Sequence, residues 1–161
     1  MSALREAFTG AECSNVRTWI QSGNVLFDVP DKRARQIMRT IPSHLAPLTG
    51  GTPPTVIFRA RDEVVRIAEH HPFGTRVDNA DLKLYVVFLA GRPRTTPDWP
   101  LRSEKENLDV IGMDGLDVFV VSGRKSGGLY GFPNPFIEKQ LGVDATSRNL
   151  TTVRKIATLI D

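Results

Sequence analysis

Cysteine is almost absent from this sequence, since Cys13 is the only one in 161 residues. A single cysteine forms no internal disulfide and no CxxC metal or redox pair, which is typical of a reducing compartment. Long apolar runs are also missing, and none approaches the roughly 20 residues that span a bilayer. Residues 1–10 lack the apolar core of a secretory signal. These absences predict a cytoplasmic protein without a transmembrane helix, in which Cys13 is a packed thiol.

A large excess of one charge is missing as well, because 21 Lys and Arg face 18 Asp and Glu, for a net charge of +3. Such a mild basic excess allows polyanion binding without implying it. With 40% hydrophobic and 24% charged residues the composition is that of an ordinary globular protein. We therefore predict one compact domain over residues 1–161, with halves at 1–60 and 61–161 as the alternative division.

The first third of the chain alternates between helical and strand patterns. Apolar residues at helical spacing predict a helix over Ser2–Thr9. Two period-two runs, Val16–Ile20 and Val25–Val29, predict strands. The sequence Gln-Ser-Gly-Asn at 21–24 suits a tight hairpin turn, and an anion cradle is the alternative. The cradle would need a following helix N-terminus to supply amides, and the pattern predicts none there.

A basic amphipathic helix is predicted next, with Asp31 as its cap and Pro42 beyond its end. One side is apolar and is formed by Ala34, Ile37, Met38 and Ile41. The other side is basic and is formed by Lys32, Arg33, Arg35 and Arg39. We interpret the basic side as a solvated face, and a surface that follows phosphates is the alternative.

The remaining elements are predicted from the same periodicities, from Gly and Pro breakers, and from helix caps. The buried strand among them is expected to lie inside its sheet, because it is apolar on both faces. In chain order they are a strand at Thr55–Arg59, a helix at Arg61–His70, the buried strand at Leu82–Ala90, a polar excursion at 91–107, a strand at Asp117–Val121, a helix capped by Asn134 and followed by Gly142, and a helix at Asn149–Ile160.

Two stretches, VRTWIQSGNVLFD at 16–28 and NPFIEKQLGVDATSRNLTTVRKIATLI at 134–160, look like the signature stretches of the bacterial domain of unknown function 1697 family. PPTVIFRARDEV and LYVVFLAG in the middle of the chain resemble it too. The resemblance implies a cytoplasmic α+β protein with ferredoxin-like, split βαβ halves and mainly antiparallel sheet. It implies no activity for particular residues.

The chain departs from the family pattern in three places. Members usually begin with a strand and a glycine-bearing loop before the first helix, whereas this chain begins at that helix, so we expect the first sheet to lack its first strand. An unpaired strand is a template for another chain. A homodimer and a longer natural N-terminus are therefore both open. Leu150 also replaces a usual Trp, and GRKSGGLYGF differs from the family's segment before NPF.

The glycine-rich segment SGRKSGGLYGF, residues 122–132, is the best candidate for a small-ligand site. Its glycines expose backbone amides and its two cations add charge. The alternative is a mobile loop between a strand and a helix. Thr146–Asn149 are predicted at the N-terminus of the last helix, where anion binding and helix capping are both open. The candidate ligand-binding residues are Arg124, Lys125, Gly127, Gly128, Arg148 and Asn149.

Metal and serine chemistry find little support in the sequence. The three histidines, His44, His70 and His71, form no helix-spaced pair, so we expect no metal site and no cofactor. Ser122–Lys125 matches S-x-x-K, but it overlaps the K-S-G triplet that should come from a separate element. We interpret this match as chance.

Two function classes follow from these residues. The first is a noncatalytic binding module for a phosphate-bearing ligand or nucleic acid that uses Arg124, Lys125, Arg148 and Trp19. The aromatic pattern of an RNA-recognition motif is absent. The second is a small enzyme that acts on a phosphorylated or acidic metabolite, with Asp144 as the only carboxylate suggested near the loop. We predict the binding module, without a membrane partner.

Overall fold

The computed structural model describes residues 2–19, 23–70 and 72–160. The chain divides into two units, residues 1–56 and 57–161. The predicted halves meet between residues 60 and 61 instead. The packing of the whole chain as one compact domain stays a prediction.

The first unit combines helices with one hairpin. Strands β1 and β2 pair antiparallel, with Trp19 opposite Asn24, which confirms the two predicted strands. Residues 20–22 of the connecting turn lie outside the described part of the chain, so the nature of the turn stays a prediction. The elements are α1 (Ser2–Gly10), β1 (Ser14–Trp19), β2 (Asn24–Asp28), a 3-10 turn (Asp31–Arg33), α2 (Ala34–Leu45) and a second 3-10 turn (Ala46–Thr49).

Helix α2 buries the predicted apolar side, including Ile37 and Ile41. It also continues through Pro42 to Leu45, so the predicted end at Pro42 is wrong. The buried side chains of Ile41 and Leu45 lie on either side of the proline and hold this turn in the core. The prediction of Asp31 as the cap is wrong too, because a 3-10 turn begins at Asp31 and the N-cap of α2 is Arg33.

The second unit is built on a five-stranded antiparallel sheet, which confirms the α+β class. Its strand order is β4-β5-β6-β3-β7, so the apolar strand β3 lies inside the sheet as predicted. The elements are α3 (Arg61–Glu69), β3 (Leu82–Leu89), β4 (Arg102–Ser103), β5 (Leu108–Asp114), β6 (Asp117–Gly123), α4 (Pro133–Leu141), β7 (Ala145–Asn149) and α5 (Leu150–Ile160).

Both faces of this sheet are buried because alternate side chains of β3 and β6 enter two different cores. One core contains Val86 with Ile67 of α3 and Val153 of α5. The other contains Val87 with Ile137 and Leu141 of α4. The middle strands of the sheet therefore offer neither face as an open platform for bases.

Several strand assignments differ from the sequence pattern, including β4 (Arg102–Ser103) within the predicted polar excursion at 91–107. The predicted strand at Thr55–Arg59 is wrong, since this segment has no regular secondary structure. It is tied to the sheet by the Arg59 side chain, as described below. Strand β5 has no predicted counterpart, because a register shift between Val110 and Gly112 interrupts its two-residue period.

One helix cap also differs. The sequence predicts Asn134 as the cap of α4, but the N-cap is Phe132 and Pro133 occupies the first turn. The reason is that Pro133 already supplies a helical φ angle one residue earlier. The exit at Gly142 is confirmed, since this glycine adopts φ +65°.

A buried ion pair joins the segment before α3 to the sheet. The Arg59 Nε atom donates to the Asp117 carboxylate at 2.8 Å, and the side chains are only 9% and 4% exposed. The Arg59 Nη2 atom also donates to the carbonyl oxygens of Leu89 and Leu116, at 3.1 and 2.8 Å. The guanidinium lies over the Phe88 ring, 5.3 Å from its centroid. One side chain thus connects the end of β3 with the turn between β5 and β6.

Removing this guanidinium should destabilise the fold strongly. The Arg59→Ala variant leaves a buried carboxylate without its partner, so we expect a loss of about 3–5 kcal/mol in the free energy of unfolding. The matched control is Arg102→Ala, which breaks the exposed pair with Asp109 at 3.2 Å and should cost less than about 1 kcal/mol. Urea denaturation measures both, and equal small losses would contradict a structural role for the buried pair.

Asp117 should also give stability a characteristic pH dependence. Burial raises the pKa of this carboxyl group, although Arg59 acts in the opposite direction. The folded state therefore binds the Asp117 proton more tightly than the unfolded chain does. Protonated Asp117 adds its full contribution to the free energy of unfolding at low pH, and this contribution is lost as pH rises through the folded pKa. We expect the unfolding free energy of the wild type, minus that of Asp117→Asn, to fall as pH rises from about 4. A difference that rises over this range would show a lowered pKa instead.

Candidate functional site

The glycine-rich segment after β6 forms a tight hairpin rather than a loop that runs directly into a helix. A β-bridge pairs Arg124 with Tyr130. Inside it, the Lys125 amide donates to the Leu129 carbonyl and the Gly128 amide donates to the Lys125 carbonyl, both at 2.8 Å. Gly128 has φ +79°, the left-handed conformation that closes a three-residue hairpin loop. Backbone geometry thus accounts for this glycine.

The two cations of the hairpin differ in their partners. The Lys125 Nζ atom lies 3.0 Å from the Glu106 carboxylate, and each side chain is about one-third exposed. Arg124 is exposed, and its Nε atom donates to the Gly128 carbonyl at 3.2 Å. Within the described ranges, no carboxylate forms a salt bridge with Arg124. Arg124 is therefore the hairpin cation whose charge has no internal counterpart in that part of the chain.

Thr146–Asn149, which the sequence places at the N-terminus of the last helix, directly precede α5 but are not an irregular cap segment. They belong to strand β7, which pairs with β3 and places Arg148 opposite Val86. The sequence pattern does not predict this strand, which forms because β3, inside the sheet, pairs with a second neighbour on this side. Asn149 does cap the helix, since its side-chain oxygen accepts the Thr151 amide at 2.9 Å. Asn149 is therefore a helix cap, as one of the two alternatives for this residue predicts, and anion binding there stays a prediction.

The predicted site residues occupy two separate places. Strands β6 and β7 lie on opposite sides of β3, where Gly123 pairs with Leu82 and Arg148 with Val86. Two strand spacings of about 4.8 Å and four residues of about 3.4 Å put the Cα atoms of Gly123 and Arg148 roughly 16 Å apart. Arg124, Lys125, Gly127 and Gly128 therefore belong to one end of the sheet, and ligand binding by them or by Arg148 and Asn149 stays a prediction.

Arg148 protects the outer edge of β7. Its Nη1 atom donates to the Ser147 carbonyl and to the Thr146 hydroxyl, both at 2.8 Å. Two side chains of α4 serve the same edge, because Glu138 accepts the Ala145 amide at 2.9 Å and Asn134 donates to the Ala145 carbonyl at 3.2 Å. Burial lowers the pKa of the Arg148 guanidinium. These contacts cover backbone groups that an edge strand would otherwise present to another chain.

The first turn of α5 has an internal anion beside it. Asp78 accepts the Thr151 hydroxyl at 3.0 Å through one carboxylate oxygen and the Leu84 amide at 2.7 Å through the other. A carboxylate at a helix N-terminus complements the positive end of the helix dipole. The negative charge that this helix end attracts is thus supplied by the protein itself.

The exposed side of α2 carries cations of a different kind. Lys32, Arg35 and Arg39, here called the basic stripe, are all exposed and form no salt bridge within the described residues. Arg33 is different, because it donates two hydrogen bonds to Glu12 at 2.6 and 2.8 Å. No Asp or Glu occurs between Lys32 and Ala60. This acid-free length is the sequence signal that distinguishes the stripe from an ordinary solvated face, which normally mixes both signs.

The side chains of Trp19 and Cys13 are both at least partly buried. Trp19 is half-buried, and its indole Nε1 atom is buried without a hydrogen-bond partner among the described residues. Cys13 is buried, which confirms a packed thiol, and burial raises its thiol pKa. The described residues contain no group of three or more His, Cys, Asp or Glu that could hold a metal ion. No helix in the described ranges is both long enough and apolar enough to cross a bilayer.

Gly131 is required for close packing, and this can be tested against Gly127. A Cβ atom at Gly131 would overlap the Glu106 carbonyl oxygen, whereas one at Gly127 would meet open space. We expect Gly131→Ala to lower the free energy of unfolding by about 1–3 kcal/mol through overpacking. Gly127→Ala should stay within about 0.5 kcal/mol of the wild type. Thermal and urea denaturation compare the two, and equal effects would mean that the hairpin does not approach residue 106 closely.

Comparison with known proteins places the chain in a family. The family model described as a protein of unknown function (DUF1697) matches residues 1–119. No curated protein and no solved structure matches the chain. The matched segment contains the basic stripe, and it ends before the glycine-rich hairpin and before the signature-like stretch at 134–160. Because the match covers most of its residues, this chain belongs to the DUF1697 family.

Proposed function

We propose that this chain is a noncatalytic binding module for nucleic acid, which it holds through phosphate groups. The observation that supports this proposal is the basic stripe, in which three exposed cations lie in line along α2 and the turn before it. Lys and Arg that neutralise phosphates release condensed counterions, and this release drives most sequence-independent binding. The stripe is suited to that mode because none of its cations forms a salt bridge with a described carboxylate.

The arrangement is unfavourable for the helix alone. Arg35 and Arg39 are four residues apart on α2, and like charges at this spacing destabilise a helix by about 0.2–0.5 kcal/mol. A bound polyanion would offset this repulsion. The exposed residues Gln36 and Ser43, beside them on the same helix, are uncharged hydrogen-bonding groups of the kind that contact phosphate oxygens.

The charge distribution along the chain supports the same surface. Residues 1–56 contain six Lys or Arg and four Asp or Glu, so two of the three net positive charges lie in the smaller unit. The remaining unit is nearly neutral. A modest net charge thus includes a locally basic surface, which attracts polyanions more than the whole-chain value suggests.

A small phosphate-bearing ligand at the hairpin is the second candidate. It is favoured by Arg124, which is exposed and has no carboxylate partner in the described ranges. The enzyme alternative would need a base or nucleophile beside this cation. Asp144 does not supply one, because its backbone carbonyl accepts the Ala90 amide at one end of β3, whereas the backbone amide of Arg124 donates to the Asp81 backbone carbonyl at the other end.

Several finer expectations accompany the proposal. They are ferredoxin-like, split βαβ halves, a bacterial cytoplasmic location, the absence of a cofactor, and a homodimer formed at the two-stranded sheet of β1 and β2. The small size of that sheet supports the last expectation, since an isolated two-stranded hairpin is only marginally stable.

Removing the basic stripe should abolish most of the salt-dependent binding. The variant Lys32→Ala/Arg35→Ala/Arg39→Ala and the control Lys139→Ala/Arg154→Ala/Lys155→Ala each remove three exposed positive charges. Fluorescence anisotropy with a labelled DNA duplex measures affinity at several salt concentrations. Three phosphate contacts contribute a slope of about −2.7 in log affinity against log salt. We expect the stripe variant to lose this contribution and the control to keep it.

Two results would contradict this assignment. Equal losses in both variants would show a general effect of net charge rather than a site. An undiminished slope in the stripe variant, together with a loss in Arg124→Ala, would move the phosphate site to the hairpin. Circular dichroism and urea denaturation of each variant verify that the fold is retained.

A further inference from the structure

We infer that the nucleic acid bound by the basic stripe is double-stranded. This inference rests on the proposed function and concerns the class of polyanion that the stripe accepts. Two features of α2 and one property of nucleic acids favour a duplex over a single strand or an anionic membrane. The apolar side of α2 is buried in its own unit, and its exposed side has no aromatic residue. A duplex also has a higher density of phosphate charge than a single strand.

A membrane is disfavoured because the apolar side of α2 is already occupied. Ile37, Ile41 and Leu45 are 2%, 0% and 7% exposed. An amphipathic helix binds a lipid surface by burying its apolar face at the boundary between headgroups and acyl chains. Since α2 uses that face in the core of its own unit, its exposed side interacts through charge and hydrogen bonds alone.

A single strand is disfavoured because the exposed side of α2 has no Phe, Tyr or Trp. Proteins that hold single strands stack bases on aromatic side chains, and each stacked base contributes about 1–3 kcal/mol. The nearest ring in the helix sequence is His44, and its imidazole lies against Gly10 of α1. A single strand on this surface would therefore be held by charge and hydrogen bonds, without the contribution of base stacking.

Charge density decides between the two nucleic acids. The basic stripe extends over eight residues, from Lys32 to Arg39, and the seven steps between them span about 10.5 Å at 1.5 Å per residue. A duplex has one charge per roughly 1.7 Å of its axis, so about six phosphate charges lie within this length, against about three for one strand. The same three cations therefore meet about twice the negative charge on a duplex.

Paired titrations of one sequence as duplex and as single strand test the inference. For three contacts, the counterion exponents of about −0.9 and −0.7 per phosphate give salt slopes of about −2.7 and −2.1. At 0.1 M salt these slopes favour the duplex about fourfold in affinity. The charge-preserving variant Lys32→Arg/Arg35→Lys/Arg39→Lys should keep both the slope and the preference, which separates loss of charge from loss of fold.

The outcomes separate the inference from the proposed function. If the single strand binds as tightly as the duplex and binding still depends on the basic stripe, the duplex inference is overturned and the proposed function stands. If neither form binds the wild type at 0.05 M salt, both are overturned. Stripe-dependent binding to phosphatidylserine vesicles without binding to either nucleic acid would also overturn both, in favour of a lipid surface.

Discussion

The second unit depends on one buried guanidinium. Arg59 satisfies the Asp117 carboxylate and two backbone carbonyls in a place with almost no solvent. Burying two charges is costly, and the cost is offset only when their hydrogen-bonding capacity is filled, as it is here. The pair also anchors the segment before α3. This segment is held at the sheet by the hydrogen bonds of the Arg59 side chain instead of by backbone pairing with a strand.

The described cations include some that have an internal partner and some that form no salt bridge. Arg59, Lys125 and Arg148 are engaged in an ion pair or in backbone contacts and act within the fold. The basic stripe is different, because its side chains point to solvent from one helix side and meet no described carboxylate. The same residue types thus support structure in one place and a proposed binding surface in another.

The middle strands of the sheet in the second unit and its β7 edge are covered by the protein itself. Its faces are covered by α3 and α5 on one side and by α4 on the other. Its β7 edge is covered by Glu138, Asn134 and Arg148. Neither base stacking on the middle of the sheet nor strand addition at β7 is therefore favoured. A helix surface such as the exposed side of α2 is the better candidate for binding.

Local patterns alone determined α1, α3, most of α5 and the interior strand β3, because their periodicity or apolar run agrees with their burial. Tertiary contacts decided other elements: residues 145–149 form a strand because they pair with β3, and a register shift interrupts the two-residue period of β5. The exposed side of α2 could likewise be predicted from a 3.6-residue period. Which of its cations are unpaired could not, because Arg33 meets Glu12 from 21 residues away while Arg35 and Arg39 meet no described acid. A pairing between distant residues is a property of the fold.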